Sequence, residues 1–135
     1  MDHKDILDFL KAETKSLEGT YIEYNESSVM LTVPVDDTRF QNVKGYLEDE
    51  GDNLRLSFMS KICKYEDYPD LDYKRILREN YKFKYAKVII YNEYIQLYSS
   101  EVYNRATLEH AKEMFLEVAR MADYLEMELT GEDFH

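Results

Sequence analysis

The feature that most constrains this chain is one long amphipathic stretch near its C-terminus, Thr107 to Gly131. Leu108, Ala111, Phe115, Val118, Ala122, Leu125 and Leu129 recur at alternating steps of three and four residues, which sets all seven on one side of an α-helix. Thr107 is the expected N-cap, and Glu109 falls in the first turn, where the helix dipole favours an anion. Gly131 is the expected stop. At about 1.5 Å per residue such a helix can cross several strands of a sheet, and Ala111, Ala119 and Ala122 keep part of its buried stripe thin enough for close approach.

The rest of the chain supplies strands for that helix to cover. Asp2 to Leu17 reads as a short amphipathic helix with Ile6, Leu7, Leu10, Thr14 and Leu17 on one side, closed by Gly19. Val29 to Val33 is a β-prone run, and Pro34 after it marks an edge or a strand end. Arg39 to Leu47 and Asn53 to Cys63 are two further strands around the turn Glu48 to Asp52. Alternation in the second places Leu54, Leu56, Phe58 and Ile62 on the core side and Arg55, Ser57, Met59, Lys61 and Cys63 on the other. Asp70-Leu71-Asp72 opens a short second helix through Asn80. Lys84 to Tyr91 and Tyr94 to Ser100 then form a hairpin around Asn92-Glu93, with Val88 to Ile90 expected as a central, buried strand. The expected order is α-β-β-β-α-β-β-α, an α+β fold whose antiparallel sheet carries its helices mainly on one face. Residues 1–135 fit one domain of a size that needs no covalent staple.

Charge and motif content narrow the function classes. A formal charge of −11 argues against nucleic acid as a ligand, because phosphate backbones are held by clustered Lys and Arg. The local exception is Lys74, Arg75, Arg78, Lys82, Lys84 and Lys87, interleaved with Tyr81, Phe83 and Tyr85. Strand alternation explains the interleaving, and pairing with the acidic stretch Asp123 to Asp133, in the same chain or a second copy, is the more economical use of the charge. No apolar run is long enough to span a membrane, and Cys63 is the one cysteine, so the chain is expected in the cytoplasm with no membrane contact. Cys63 reads as an inert strand residue, not a nucleophile. His3, His110 and His135 are the only histidines; His110 and Glu113 are three apart on the long helix, but without a third ligand they read as a surface pair. The acidic runs Glu48 to Asp52 and Glu66 to Asp72 lack EF-hand spacing. Neither metal, cofactor nor catalytic set is expected, and the chain reads as no enzyme.

From Asp70 to Leu129 the succession of motifs resembles the YbjN-like branch of the type III secretion chaperone-like family. The resemblance is carried by Ile76-Leu77-Arg78-Glu79-Asn80, by the strand Tyr94-Ile95-Gln96-Leu97-Tyr98, by Thr107-Leu108-Glu109 and by Val118-Ala119-Arg120-Met121-Ala122-Asp123. It implies a small acidic α+β protein, often a homodimer, that holds a client polypeptide or serves as a regulator and performs no catalysis. It transfers no site residues. The thirteen tyrosines add an independent hint, since tyrosine is enriched at protein interfaces. Tyr94 and Tyr98 alternate with Ile95 and Leu97, so one pair belongs to the core and the other to an outer face; with Met59, Tyr94 and Tyr98 are the candidate partner-binding residues. The alternative is a small-molecule-binding or enzymatic domain with a pocket between sheet and helices.

Overall fold

The computed structural model describes residues 3–131, excluding the side chains of residues 105–107. Helix α1 (His3–Ser16) is followed by four strands, β1 (Thr20–Asn25), β2 (Ser28–Pro34), β3 (Phe40–Glu50) and β4 (Asn53–Lys64). Helix α2 (Tyr73–Glu79), strands β5 (Lys87–Tyr91) and β6 (Tyr94–Tyr103), and helix α3 (Arg105–Thr130) complete the chain. The fold is α+β, with one antiparallel six-stranded sheet in the spatial order β1-β2-β3-β4-β6-β5.

Helix α3 packs across β3, β4 and β6, and α1 packs beside it over β1 and β2. Both lie on the same side: Phe115 of α3 meets the Phe58 ring edge-on at 5.7 Å, and Lys112 of α3 pairs with Glu13 of α1 at 3.1 Å. Ala111, Phe115, Val118, Ala122 and Leu125 of the expected stripe are all buried, and Met114 and Ala119 widen it. Phe58 fits because its direct partner across β3 is Gly45, where a Cβ would come within 3.3 Å of the Phe58 ring. Edge-on aromatic contact of this kind adds roughly 0.5–1.5 kcal/mol beyond area burial.

Several expectations need correction. The sheet has a strand that the expected order lacks, β1: its polar edge sequence Thr-Tyr-Ile-Glu-Tyr-Asn is exposed at five of six positions, so it shows little of the alternation that burial imposes. Val88 to Ile90 is not central, because β6 inserts between β4 and β5 and leaves β5 at the edge, with Ile90 60% exposed. The strand begins at Lys87; residues 80–82 form a 3-10 turn and Tyr81 is almost fully exposed, so the alternation at 81–85 is not that of a strand. Cys63 is not on the outer side: a bulge between Lys61 and Cys63 inserts Ile62 as an extra residue, which returns Cys63 to the core opposite Ile95. Helix α3 opens at Arg105, two residues before Thr107, so Thr107 is in the first turn instead of at the cap; its side chain lies outside the described residues, as do Asp133 and His135.

Turn chemistry matches the sequence. Asn92 and Glu93 both take positive φ, 50° and 70°, the two-residue geometry whose twist suits a hairpin. Gly51 supplies φ 63° between β3 and β4. Asp72 caps α2 by accepting the Arg75 N–H at 3.1 Å.

Candidate functional site

Alternation along each strand sorts the sheet into two faces. The side under α1 and α3 carries Val29, Leu31, Val43, Leu56, Phe58 and Leu97, all fully buried. The opposite side has no helix packed on it among the element contacts of α1 and α3 that define the core. Its middle row runs from edge to edge through directly paired residues: Ile22, Met30, Lys44, Met59, Tyr98 and Lys87. The three sequence-predicted residues all fall here. Met59 lies opposite Tyr98, and Tyr94 lies two alternations away on β6, past Gln96.

Two concavities open on this face. The larger, about 490 Å³, is lined by Met30, Asn42, Lys44, Met59, Lys61 and Tyr94, with Gln96, Tyr91 at the end of β5 and Asn92 of the turn at its side. The smaller, about 370 Å³, shares Lys44 and Met59 and adds Tyr46, Glu48, Ile89 and Tyr98. The floor is thus two methionines, flexible thioethers that adapt to varied apolar partners. The Lys61 ammonium stands 4.3 Å from the centre of the Tyr94 ring, and Lys44 stands 5.5 Å from that of Tyr46. Gln96 is buried and held by its own donor to the Tyr91 carbonyl at 3.0 Å. Burial, with Tyr98 beside it, pushes the Tyr46 phenol up to about 12, so it stays a neutral hydrogen-bonding group. Met30, Lys44, Tyr46 and Lys61 were not singled out from sequence; the parity of β2 and β3 about Val29, Leu31 and Val43 is the signal that finds the first three.

The other candidates resolve into structure. Cys63 is buried, and burial with Glu126 nearby pushes its thiol up to about 11. His110 and Glu113 approach at 3.9 Å on an exposed surface, where Glu113 accepts the Tyr85 hydroxyl at 2.8 Å; that bond and Lys84 hold the Glu113 carboxyl below its ordinary range. No group of three metal-ligating side chains occurs among the described residues. Half of the basic stretch pairs within the chain: Arg75 with Glu128 at 2.9 Å, in the expected acidic segment, Lys82 with Glu79 at 3.0 Å and Lys84 with Glu113 at 3.7 Å, both outside it. Asp123 is clamped by Arg39 of the β2–β3 connection through contacts of 3.1 and 3.0 Å.

Glu117 of α3 takes an unexpected part. Its carboxylate accepts the backbone N–H groups of Lys84, Tyr85 and Ala86 at 2.8, 2.7 and 2.7 Å, fixing the segment that enters β5. Asn80 then accepts the Val88 N–H through Oδ1 at 2.6 Å, occupying a donor on the free edge of that strand.

No protein-family model matches the chain, and no curated protein matches it. No described helix is long and apolar enough to cross a membrane.

Proposed function

We propose that this chain is a non-catalytic polypeptide-binding module that holds a client on the open face of its sheet, in the manner implied by its resemblance to YbjN-like and type III secretion chaperone-like proteins. The observation that carries the reading is the pair of adjoining concavities floored by Met30 and Met59 and walled by Tyr46, Tyr94 and Tyr98. Amphipathic aromatics and methionine suit a surface that meets apolar side chains without a fixed shape. Between α3 and the sheet, where a small-molecule pocket is the alternative, Phe58, Phe115, Leu97 and Met114 are fully buried in one continuous core, and the concavity on the helix side, about 560 Å³ lined by His3, Lys4, Leu7, Asp8, Glu23 and Glu26, lies at the α1–β1 end.

Substitution separates this site from any other. Affinity capture with the native chain should return a specific polypeptide that is absent when Met59→Arg or Tyr98→Arg is used as bait, with both variants folded by circular dichroism. Retention of that polypeptide by both variants would remove the face from the function.

A homodimer is part of the same proposal, and β1 is the edge that suits it. Two copies paired antiparallel about Ile22 would set Tyr21 against Glu23 and cover Ile22 and Tyr24, which are 50% and 58% exposed. Light scattering at micromolar concentration should give about twice the 16.2 kDa chain mass, and Ile22→Lys should return it to the monomer. A monomer in the native chain would end the dimer without touching the client face.

A further inference from the structure

We infer that the client segment held by the open face is acidic, with carboxylates meeting Lys44 and Lys61 and an apolar neighbour resting on Met59. This rests on the reading of that face as a client site and adds the chemistry of what it selects. The chain as a whole carries 28 acidic against 17 basic residues, yet the face reverses the balance. Its outward strand positions hold Lys44, Arg55, Lys61, Lys64 and Lys87, against Glu48 and Glu50 at the β3–β4 end. Arg55 is engaged by Glu50 at 2.6 Å, and Lys64 by Glu93 at 3.7 Å. Lys44, Lys61 and Lys87 have no carboxylate partner among the ion pairs of the described residues.

Position makes two of these lysines a pair. Met59 lies directly opposite Lys44, and Lys61 is two residues further along β4, which makes Lys44 and Lys61 diagonal neighbours, with bases roughly 7 Å apart. Both line the larger concavity; the Lys61 ammonium lies against Tyr94 on its wall, and that of Lys44 turns to Tyr46 of the adjoining one. Carboxylates spaced along an extended segment can meet the two ammonium groups, one each, and Asn42 and Asn92 on the same rim offer neutral amides to its backbone. A second copy applied through this face would bring few acids to these lysines, since the carboxylates of the face, Glu48 and Glu50, lie at one end of it. The acidic segment is therefore a partner's, and the dimer contact lies elsewhere.

The test is a selection of random twelve-residue peptides on the immobilised full-length chain, followed by fluorescence polarisation of the enriched peptides. The inference expects binders rich in Asp and Glu alternating with apolar residues, weakened at least tenfold when their acids are replaced by Asn and Gln. It expects the same loss in the Lys44→Gln/Lys61→Gln double variant, both positions being exposed and tolerant of change. Rising salt should weaken binding through screening. Enrichment of neutral or basic peptides that Met59→Arg abolishes would overturn the acidic preference and keep the client face. Peptides that bind the native chain and Met59→Arg alike, or a selection with no enrichment, would overturn both.

Discussion

The two faces of strand β4 are built from the same twelve residues and have opposite fates. Leu56, Phe58 and Ile62 are fully buried beneath α3, while Met59 is half-buried and Lys61 is exposed on a side that no part of α3 reaches. On the first, partner atoms come from the chain itself, and every methylene removed leaves a void. On the second, the side chains are long and flexible, and bear charge at their tips, so they tolerate water and still offer apolar stems. Stability is thus concentrated on one face, and the proposed recognition belongs to the other.

Substitutions on the two faces should therefore separate in kind. The largest effect belongs to Phe115→Ala, which should cost about 3–5 kcal/mol by opening a cavity against Phe58. Against a total of ~5–15 kcal/mol, that shows as a large fall in the denaturant midpoint, and an unchanged midpoint would place the core elsewhere. Glu117→Ala should cost about 2 kcal/mol, since three backbone donors lose a charged acceptor at once. Amide exchange should quicken at Lys84, Tyr85 and Ala86 before it does in β3 or β4. Met59→Ala and Tyr98→Ala should each change stability by less than about 1 kcal/mol and yet abolish client capture. A loss of several kcal/mol at either residue would break the contrast between the faces.

Cys63→Ala, within the core, has a further signature that lies in alkali. The folded thiol titrates at about 11 instead of the ordinary 9.0, so the native state holds its proton more tightly than the unfolded chain does. Its contribution is present in full below pH 9.0 and is lost as pH rises toward about 11. Denaturant titrations across that window should fall more steeply for the native chain than for Cys63→Ala. Parallel slopes would mean that Cys63 is accessible in the folded chain.

What the sequence reveals depends on whether burial leaves a pattern. Helix α3 was legible because Ala111, Phe115, Val118, Ala122 and Leu125 answer to one packed surface at one period. Met59, Tyr94 and Tyr98 were legible as outward residues from their alternation with Phe58, Ile95 and Leu97. Strand β1 was not, because an exposed edge strand has only one neighbour and few buried positions to imprint a period. The place of β5 and the side taken by Cys63 were hidden for another reason. Strand order and a single inserted residue are long-range facts, and local composition is the same whether Val-Ile-Ile lies in the middle of a sheet or at its rim.

The Asn80–Val88 contact gives the two rims of the sheet different valences. At β5 a side-chain amide already sits on a backbone donor, whereas β1 meets no further strand on its outer side. Head-to-tail polymerisation needs both rims to be receptive, because each added copy must offer the next one what it found on the last. A chain with one receptive rim is a chain terminator for its own kind: once two copies have joined through β1, both ends of the enlarged sheet are β5. In the proposed dimer the Asn80–Val88 contact would stand against further strand addition at both ends, and the open face would be twice as wide.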